Sequence, residues 1–304
     1  MDRRDFVRRM VGVSMAAGMA PLLGTPVPLL GREDEPPIDL VAIRGGEPDM
    51  MFDRGIEALG GLQVFVGRGS TVVVKPNIGW DVPPERAGNS NPRLVARIVE
   101  RCFDAGASKV YVFDHTCDDW KRCYRRSGIE EAASRAGATV VSGDSKSYYH
   151  EVDVPGGRSL RSAMEHELVL ESDVLINVPI LKSHGGARLT IAMKNLMGVV
   201  WDRGFWHSND LHQCIADFAA YRKPTLNVVD AYYVMKRNGP RGVSEGDVAT
   251  LKAQLISTDI VAVDTAATKL FGMEPSAVRY IPLAADRGVG RMDLEKLQIK
   301  RIAV

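Results

Sequence analysis

Chemistry-bearing side chains in this sequence gather just after short apolar runs. Thr71-Val72-Val73-Val74 is followed by Lys75, Pro76 and Asn77. Tyr111–Phe113 is followed by Asp114 and His115, Val174–Val178 by Lys182 and His184, and Leu226–Val229 by Asp230. Lysine is a compact cation suited to phosphate or carboxylate. Histidine carries protons near neutral pH or ligates metal. Aspartate binds a cation, orients a lysine, or caps the next segment. Lys194 is set apart by its surroundings, Ile191-Ala192-Met193-Lys194-Asn195-Leu196-Met197, which are otherwise nearly apolar. Lys75, Lys182, His184 and Lys194 are therefore the candidate catalytic residues. Asn77 and His207 are candidate substrate ligands, and Asp230 a candidate metal ligand. Each has an ordinary alternative, as a solvated lysine, a packed histidine or a capping aspartate.

The elements that would position these groups alternate in type. Strands are predicted at Ile38–Ile43, Thr71–Lys75 (stopped by Pro76), Lys109–Phe113, Ala138–Ser142, Asp173–Val178 (stopped by Pro179), Leu226–Val229 and Ile299–Val304. Helices are predicted at Asn91–Ala105, Gly128–Ala136, Leu189–Leu196, Asn209–Tyr221 and Thr258–Phe271, the last capped by Thr258 or Asp259. Such alternation predicts an α/β fold, a mostly parallel sheet with helices on both faces. The polar stretch 144–171 reads as a small antiparallel excursion. In open α/β sheets, sites form beyond the carboxyl ends of the strands. Four strand ends bearing Lys, His or Asp predict one shared cleft there.

Composition narrows the partners. The 304 residues carry 39 Lys+Arg against 38 Asp+Glu, a formal net charge of +1. That balance offers no bulk attraction to nucleic acid. The sequence lacks a Gly-x-x-x-x-Gly-Lys-Ser/Thr loop, a Gly-x-Gly-x-x-Gly turn, a His-Glu-x-x-His pair and a Gly-x-Ser-x-Gly elbow. Cys102, Cys117, Cys123 and Cys214 lack zinc or iron–sulfur spacing. Cys102 reads as core, and Cys117 with Cys123 as a pair able to oxidise outside the cytoplasm.

The amino terminus has its own pattern. Arg3, Arg4, Arg8 and Arg9 precede a stretch from Met10 to Gly31 without a charge. This is a basic region followed by a mildly apolar one, as in export signals. Arg3-Arg4-Asp5-Phe6-Val7-Arg8 resembles a twin-arginine signal, whose translocation machinery is then a partner and which carries folded proteins across the cytoplasmic membrane. Pro21, Pro26 and Pro28 argue against a stable membrane span. Residues 1–30 are thus read as the signal, 31–37 as a linker, and 38–304 as one α/β domain. Four arginines and two aspartates lie in residues 1–30, so the remaining chain has a formal charge of −1.

Two longer blocks carry a family resemblance. Asn177-Val178-Pro179-Ile180-Leu181-Lys182-Ser183-His184, then Ala192-Met193-Lys194-Asn195-Leu196-Met197-Gly198, resemble the family catalogued as domain of unknown function 362. Lys75-Pro76-Asn77, Asn238-Gly239-Pro240-Arg241-Gly242 and the run Ser257–Ala266 match it in order. The resemblance implies an α/β domain over roughly residues 38–285 and marks Lys75, Asn77, Lys182, His184, Lys194, Asn195, His207, Asp230 and Asp264, which adds Asn195 to the candidate substrate ligands and Asp264 to the candidate metal ligands. Some members carry ferredoxin-type cysteine runs. This chain has none, so no intrinsic iron–sulfur cluster is expected.

Three readings follow. The first is an exported enzyme acting on a small anionic substrate, with a divalent metal as an option. The second is an extracytoplasmic binding protein for an anionic ligand or metallocofactor. The third is an accessory partner of an exported redox complex, which would expose an apolar patch around Trp201–Trp206.

Overall fold

The computed structural model describes residues 37–304; the expected signal and nearly all of the expected linker lie outside them. The strands are β1 (Leu40–Arg44), β2 (Thr71–Pro76), β3 (Lys109–Val112), β4 (Thr139–Val140), β5 (Tyr149–Asp153) and β6 (Ser162–His166). They continue as β7 (Val174–Val178), β8 (Ile180–His184), β9 (Arg188–Thr190), β10 (Leu226–Met235), β11 (Val248–Ser257) and β12 (Ile299–Ala303). The helices are α1 (Pro48–Ala58), α2 (Pro92–Asp104), α3 (Trp120–Arg126), α4 (Ile129–Arg135) and α5 (Glu167–Glu171). After them come α6 (Ala192–Asn195), α7 (Arg203–Ser208), α8 (Leu211–Tyr221), α9 (Ile260–Phe271) and α10 (Tyr280–Asp286).

The main sheet runs β12-β1-β11-β10-β7-β2-β3-β4, with β8 beside β10 and β9 beside β8. Pairing is parallel from β10 through β7, β2 and β3 to β4. β11 runs antiparallel to both β1 and β10. The α/β expectation, a mostly parallel sheet, therefore holds. Val72, Val73, Val74 and the whole of β7 are buried, as expected for parallel strands covered on both faces. One apolar cluster packs α1, α2 and α4 on one face, and a second packs α8, α9 and α10 on the other. α2 starts at Asn91, whose side chain accepts from Arg93 N, with Pro92 in the first turn. α9 starts at Asp259, which accepts from Val261 N and Ala262 N. The 144–171 excursion is the hairpin β5–β6 followed by α5. It is tied to the body by Arg222, which donates to buried Glu165, and by Asp217, whose Oδ2 accepts from Arg158 N, Ser159 N and Leu160 N.

Several elements differ from expectation. Pro76 is the last residue of β2, so it ends the strand from within rather than beyond it. Pro179 does not end the extended chain; β8 follows at once, and Asp230 N donates to the Pro179 carbonyl. The expected helix 189–196 is instead β9, then the single turn α6 and a tighter turn over Leu196–Val199. β9 is strand because Ser183 and Leu189 pair across an antiparallel register with β8. Asp230 is not at a strand end, since β10 continues to Met235. β11, unforeseen, keeps that extension in the sheet; its polar residues Thr250, Lys252 and Gln254 alternate with Leu251, Ala253 and Leu255, the period-two pattern of a strand with one polar face rather than the continuous apolar run of β2.

Candidate functional site

A cavity of about 420 Å³ opens beyond the carboxyl ends of β2 and β7, which is where such sheets place sites. It brings together Lys75, Asn77, Lys182, His184, Lys194, Asn195 and His207, seven of the nine expected residues. The other two lie elsewhere. Asp230 Oδ2 accepts from Asn91 N and Oδ1 from Tyr232 N. Asp264 accepts from Ala192 N at 2.8 Å and Met193 N at 3.1 Å. Both carboxylates are buried and their oxygens occupied by backbone, so the expected metal role is corrected to a positioning one. Burial raises the pKa of Asp230 to about 6 and of Asp264 to about 8. Among the described residues no group of three or more His, Cys, Asp or Glu side chains is placed to hold a metal ion.

The three lysines differ in how fully their protons are used. Lys75 lies at the end of β2, wholly buried. Its ammonium reaches Asn195 O at 2.6 Å, Asn195 Oδ1 at 2.9 Å and Asp114 Oδ1 at 3.0 Å. Two hydrogen bonds thus hold the ammonium to Asn195, and an ion pair holds it to Asp114. Burial pushes its pKa down and the Asp114 charge opposes that shift. Asp114 is held in turn by Ile78 N, which donates to Oδ2 at 2.6 Å. Lys182, on β8, donates to Asn77 Oδ1 at 3.0 Å and to Gly88 O at 2.6 Å, which leaves one position free. Burial lowers its pKa to about 7, and the neighbouring Lys194 and Lys75 charges add to the shift. Lys194, on α6, is half-buried and lines the cavity, and no hydrogen bond or ion pair joins its amine to another described residue. Burial lowers its pKa to about 8, with Arg203 and Lys75 contributing.

Asn195 links the amides of the site. Its Nδ2 donates to Asn177 Oδ1 at 2.8 Å, and its Oδ1 accepts from Asn77 Nδ2 at 2.9 Å. Gly198 is required beside this network. A Cβ there would sit 1.8 Å from Asp114 Oδ1 and 2.5 Å from Lys75 Nζ.

Backbone groups set the histidine tautomers. His184 Nδ1 accepts from Gly186 N and Ala187 N at 3.1 and 3.0 Å. Its neutral ring therefore carries hydrogen on Nε2 and is a donor to the cavity. Burial and the Lys194 and Lys182 charges press its pKa to about 3. It is thus a hydrogen-bond donor rather than a proton shuttle or metal ligand. His115 is the opposite case. Its Nδ1 lies 3.0 Å from the Val200 carbonyl, which can only accept, so Nε2 keeps a free lone pair. The ring stacks on Trp201 at 4.9 Å between centroids. His207 lies nearly parallel to His184, 6.3 Å away, and burial lowers its pKa.

Arg203 and Cys117 were not among the expected site residues. Arg203, on α7, donates to His115 O at 2.7 Å and Thr116 O at 2.6 Å, which fixes the loop after β3. Its Nη1 is 3.5 Å from Cys117 Sγ. Nothing local in the sequence marks Arg203, because it reaches the site from a different element. Cys117 carried a signal, two positions past His115, but was read toward Cys123; both are free thiols here, and Cys123 is buried. The cavity lining counts Lys75, Lys182, Lys194 and Arg203 against the single carboxylate of Asp114.

No helix of the described residues is long and apolar enough to cross a membrane. The chain is 26% identical over 231 residues to the thylakoid-associated protein sll1697 of Synechocystis sp., covering 73% of this chain and 70% of that one. The lactate racemase apoprotein of Thermoanaerobacterium thermosaccharolyticum is a more distant structural likeness, at 12% identity and a TM-score of 0.49. It aligns with 78% of this chain but only 58% of its own, so this chain spans less than two thirds of that protein. The family described as Domain of unknown function (DUF362) matches residues 72–269, which includes most of β2, the 177–198 block and most of α9, and the chain belongs to that family.

Proposed function

We propose that the protein is an enzyme acting on a small anionic substrate held in the cleft between β2, β8 and α6. The observation that carries this reading is the uncompensated positive charge of the lining: four cationic side chains face one carboxylate, and that carboxylate is already paired to Lys75. In a partly closed cavity such charge costs stability unless an anion meets it. Lys75 holds Asp114 and Asn195 in place. Lys182, with one free position, and the Nε2–H of His184 bind the anion. Lys194 is the free amine, and His115 Nε2 the free lone pair, available to the reacting centre.

The third reading, an accessory partner, loses the feature it needed. Trp206 is buried against Phe218 and Trp201 is half-buried under His115, which leaves only Phe205 broadly exposed.

The experiment is thermal unfolding of the purified protein in a panel of small carboxylates and phosphate, beside a Lys194→Gln variant. A ligand at a hundredfold excess over its Kd stabilises by about 2.7 kcal/mol. The reading expects at least one anion to raise the melting temperature of the wild type and to act more weakly on the variant. No shift with any anion refutes it.

Export as a folded protein through the twin-arginine machinery belongs to the same proposal and rests on Arg3-Arg4-Asp5-Phe6-Val7-Arg8. Replacing Arg3 and Arg4 by Lys should retain the protein in the cytoplasm. Equal export of both forms in fractionated cells would refute it.

A further inference from the structure

We infer that Lys194 forms a covalent imine with a small 2-oxo carboxylate, so that the substrate class is a carbonyl compound as well as an anion. The inference rests on the anionic cleft just proposed and deepens it.

The backbone around Lys194 is anchored on both sides. On one side the Asp264 carboxylate takes Ala192 N and Met193 N. On the other, Asn195 is gripped by Lys75 through both its main-chain and side-chain oxygens. Yet the amine between these anchors has no acceptor among the described residues. A lysine whose task was to neutralise Asp114 would be paired with it, as Lys75 is at 3.0 Å. A lysine whose task was structural would have its protons taken up by protein oxygens, as those of Lys75 are by Asn195 O and Oδ1. Lys194 does neither. It is held in position with its nitrogen left open.

Its neighbours suit a nucleophile. Lys75 and Arg203 oppose its protonation, and burial does so more strongly. Desolvation and an adjacent cation are the two devices that keep a lysine amine neutral enough to attack a carbonyl. With its pKa at about 8 instead of 10.5, the neutral fraction at pH 7 rises by on the order of a hundredfold. The carboxylate of a 2-oxo acid would meet Lys182 and His184 Nε2–H, with its carbonyl carbon toward Lys194.

The step balances without a further reactant. The neutral amine attacks the carbonyl carbon and a C–N bond forms. The carbonyl oxygen takes up the proton the ammonium gave away, and a second proton from nitrogen completes its departure as water. Ammonium plus carbonyl yields protonated imine plus water, with no oxidation or reduction.

The test uses the full chain with pyruvate and sodium borohydride, followed by peptide mapping. One reduced adduct on Lys194 is expected, at about tenfold or greater occupancy than on exposed Lys109 or Lys121. The Lys194→Gln variant should lose that adduct alone. Propionate, which has no carbonyl, is measured in parallel by thermal unfolding. If propionate stabilises the protein but pyruvate leaves no Lys194 adduct, the imine inference falls and the anionic cleft stands. If neither carboxylate shifts unfolding and no adduct forms, both fall. Adducts spread evenly over exposed lysines also overturn the inference.

Discussion

Replacing Lys75 by Met removes the ammonium at the centre of the site while keeping most of its volume. Lys75 is 0% exposed and its partner Asp114 is 2% exposed, so water cannot take over the lost contacts. The Asp114 carboxylate would keep only the Ile78 N–H, and the Asn195 carbonyl would lose its 2.6 Å donor. Breaking a buried ion pair from one side costs about 3–5 kcal/mol, because an uncompensated charge stays behind. For the roughly 270 described residues the entropy of unfolding is about 0.6 kcal/mol per kelvin, so the melting temperature should fall by about 5–9 °C. Asp114→Asn alone strands the other charge. The double variant strands neither, and should be less damaged than the two single costs together by about 1–3 kcal/mol. Urea unfolding of the four proteins at one pH measures this cycle. A Lys75→Met cost below about 1 kcal/mol, or additivity within about 0.5 kcal/mol, would refute the pair as the keystone of the site.

Gly198→Ala places a methyl group 1.8 Å from Asp114 Oδ1, on a side where Lys75 also has no room to retreat. The chain should still fold, with a loss of about 1–3 kcal/mol seen in urea unfolding and loss of the anion-induced shift; a fully retained shift would contradict the close approach. The second prediction concerns pH. Lys194 has a folded pKa of about 8 against an ordinary 10.5, so the unfolded chain binds more protons across that interval. Its contribution is complete above pH 10.5 and is lost as pH falls through 8. Relative to Lys194→Met, the wild type should therefore gain stability as pH rises from 7 to 10, and a difference that stays flat would show that the amine titrates normally in the fold.

The alternation of apolar runs with amphipathic ones was enough for the α/β class, because a strand covered on both faces must be largely apolar, as Val72–Val74 and Val174–Ile176 are. The strand-end rule found Lys75 and the loop after Phe113 for the same reason: a parallel strand that leaves the core must turn polar there. It failed at Asp230, where β11 extends β10 past the apolar stretch. β11 itself is no continuous apolar run, since Thr250, Lys252 and Gln254 alternate with Leu251, Ala253 and Leu255; that period of two marks a strand with one polar face and was legible in the sequence.

Sequence by itself determined which side chains are unusual for their setting. A lysine abutting three apolar residues and another within an apolar turn are visible in one dimension, because burying a charge is costly wherever it occurs. What each lysine does was decided only by tertiary structure. Lys75 and Asn195 are 120 positions apart, and Lys182 and Gly88 94 apart, so no local pattern records that one amine is saturated and the other nearly so. The same holds for His115, whose tautomer is set by the Val200 carbonyl, 85 positions away, whereas that of His184 is set by the nearby Gly186 N and Ala187 N. Asp264, 72 positions from Ala192, proved to be the anchor of the turn that carries Lys194. Residue type specifies what a group can donate or accept; only the fold specifies which of those capacities is left unused, and in Lys194 it is the nitrogen itself.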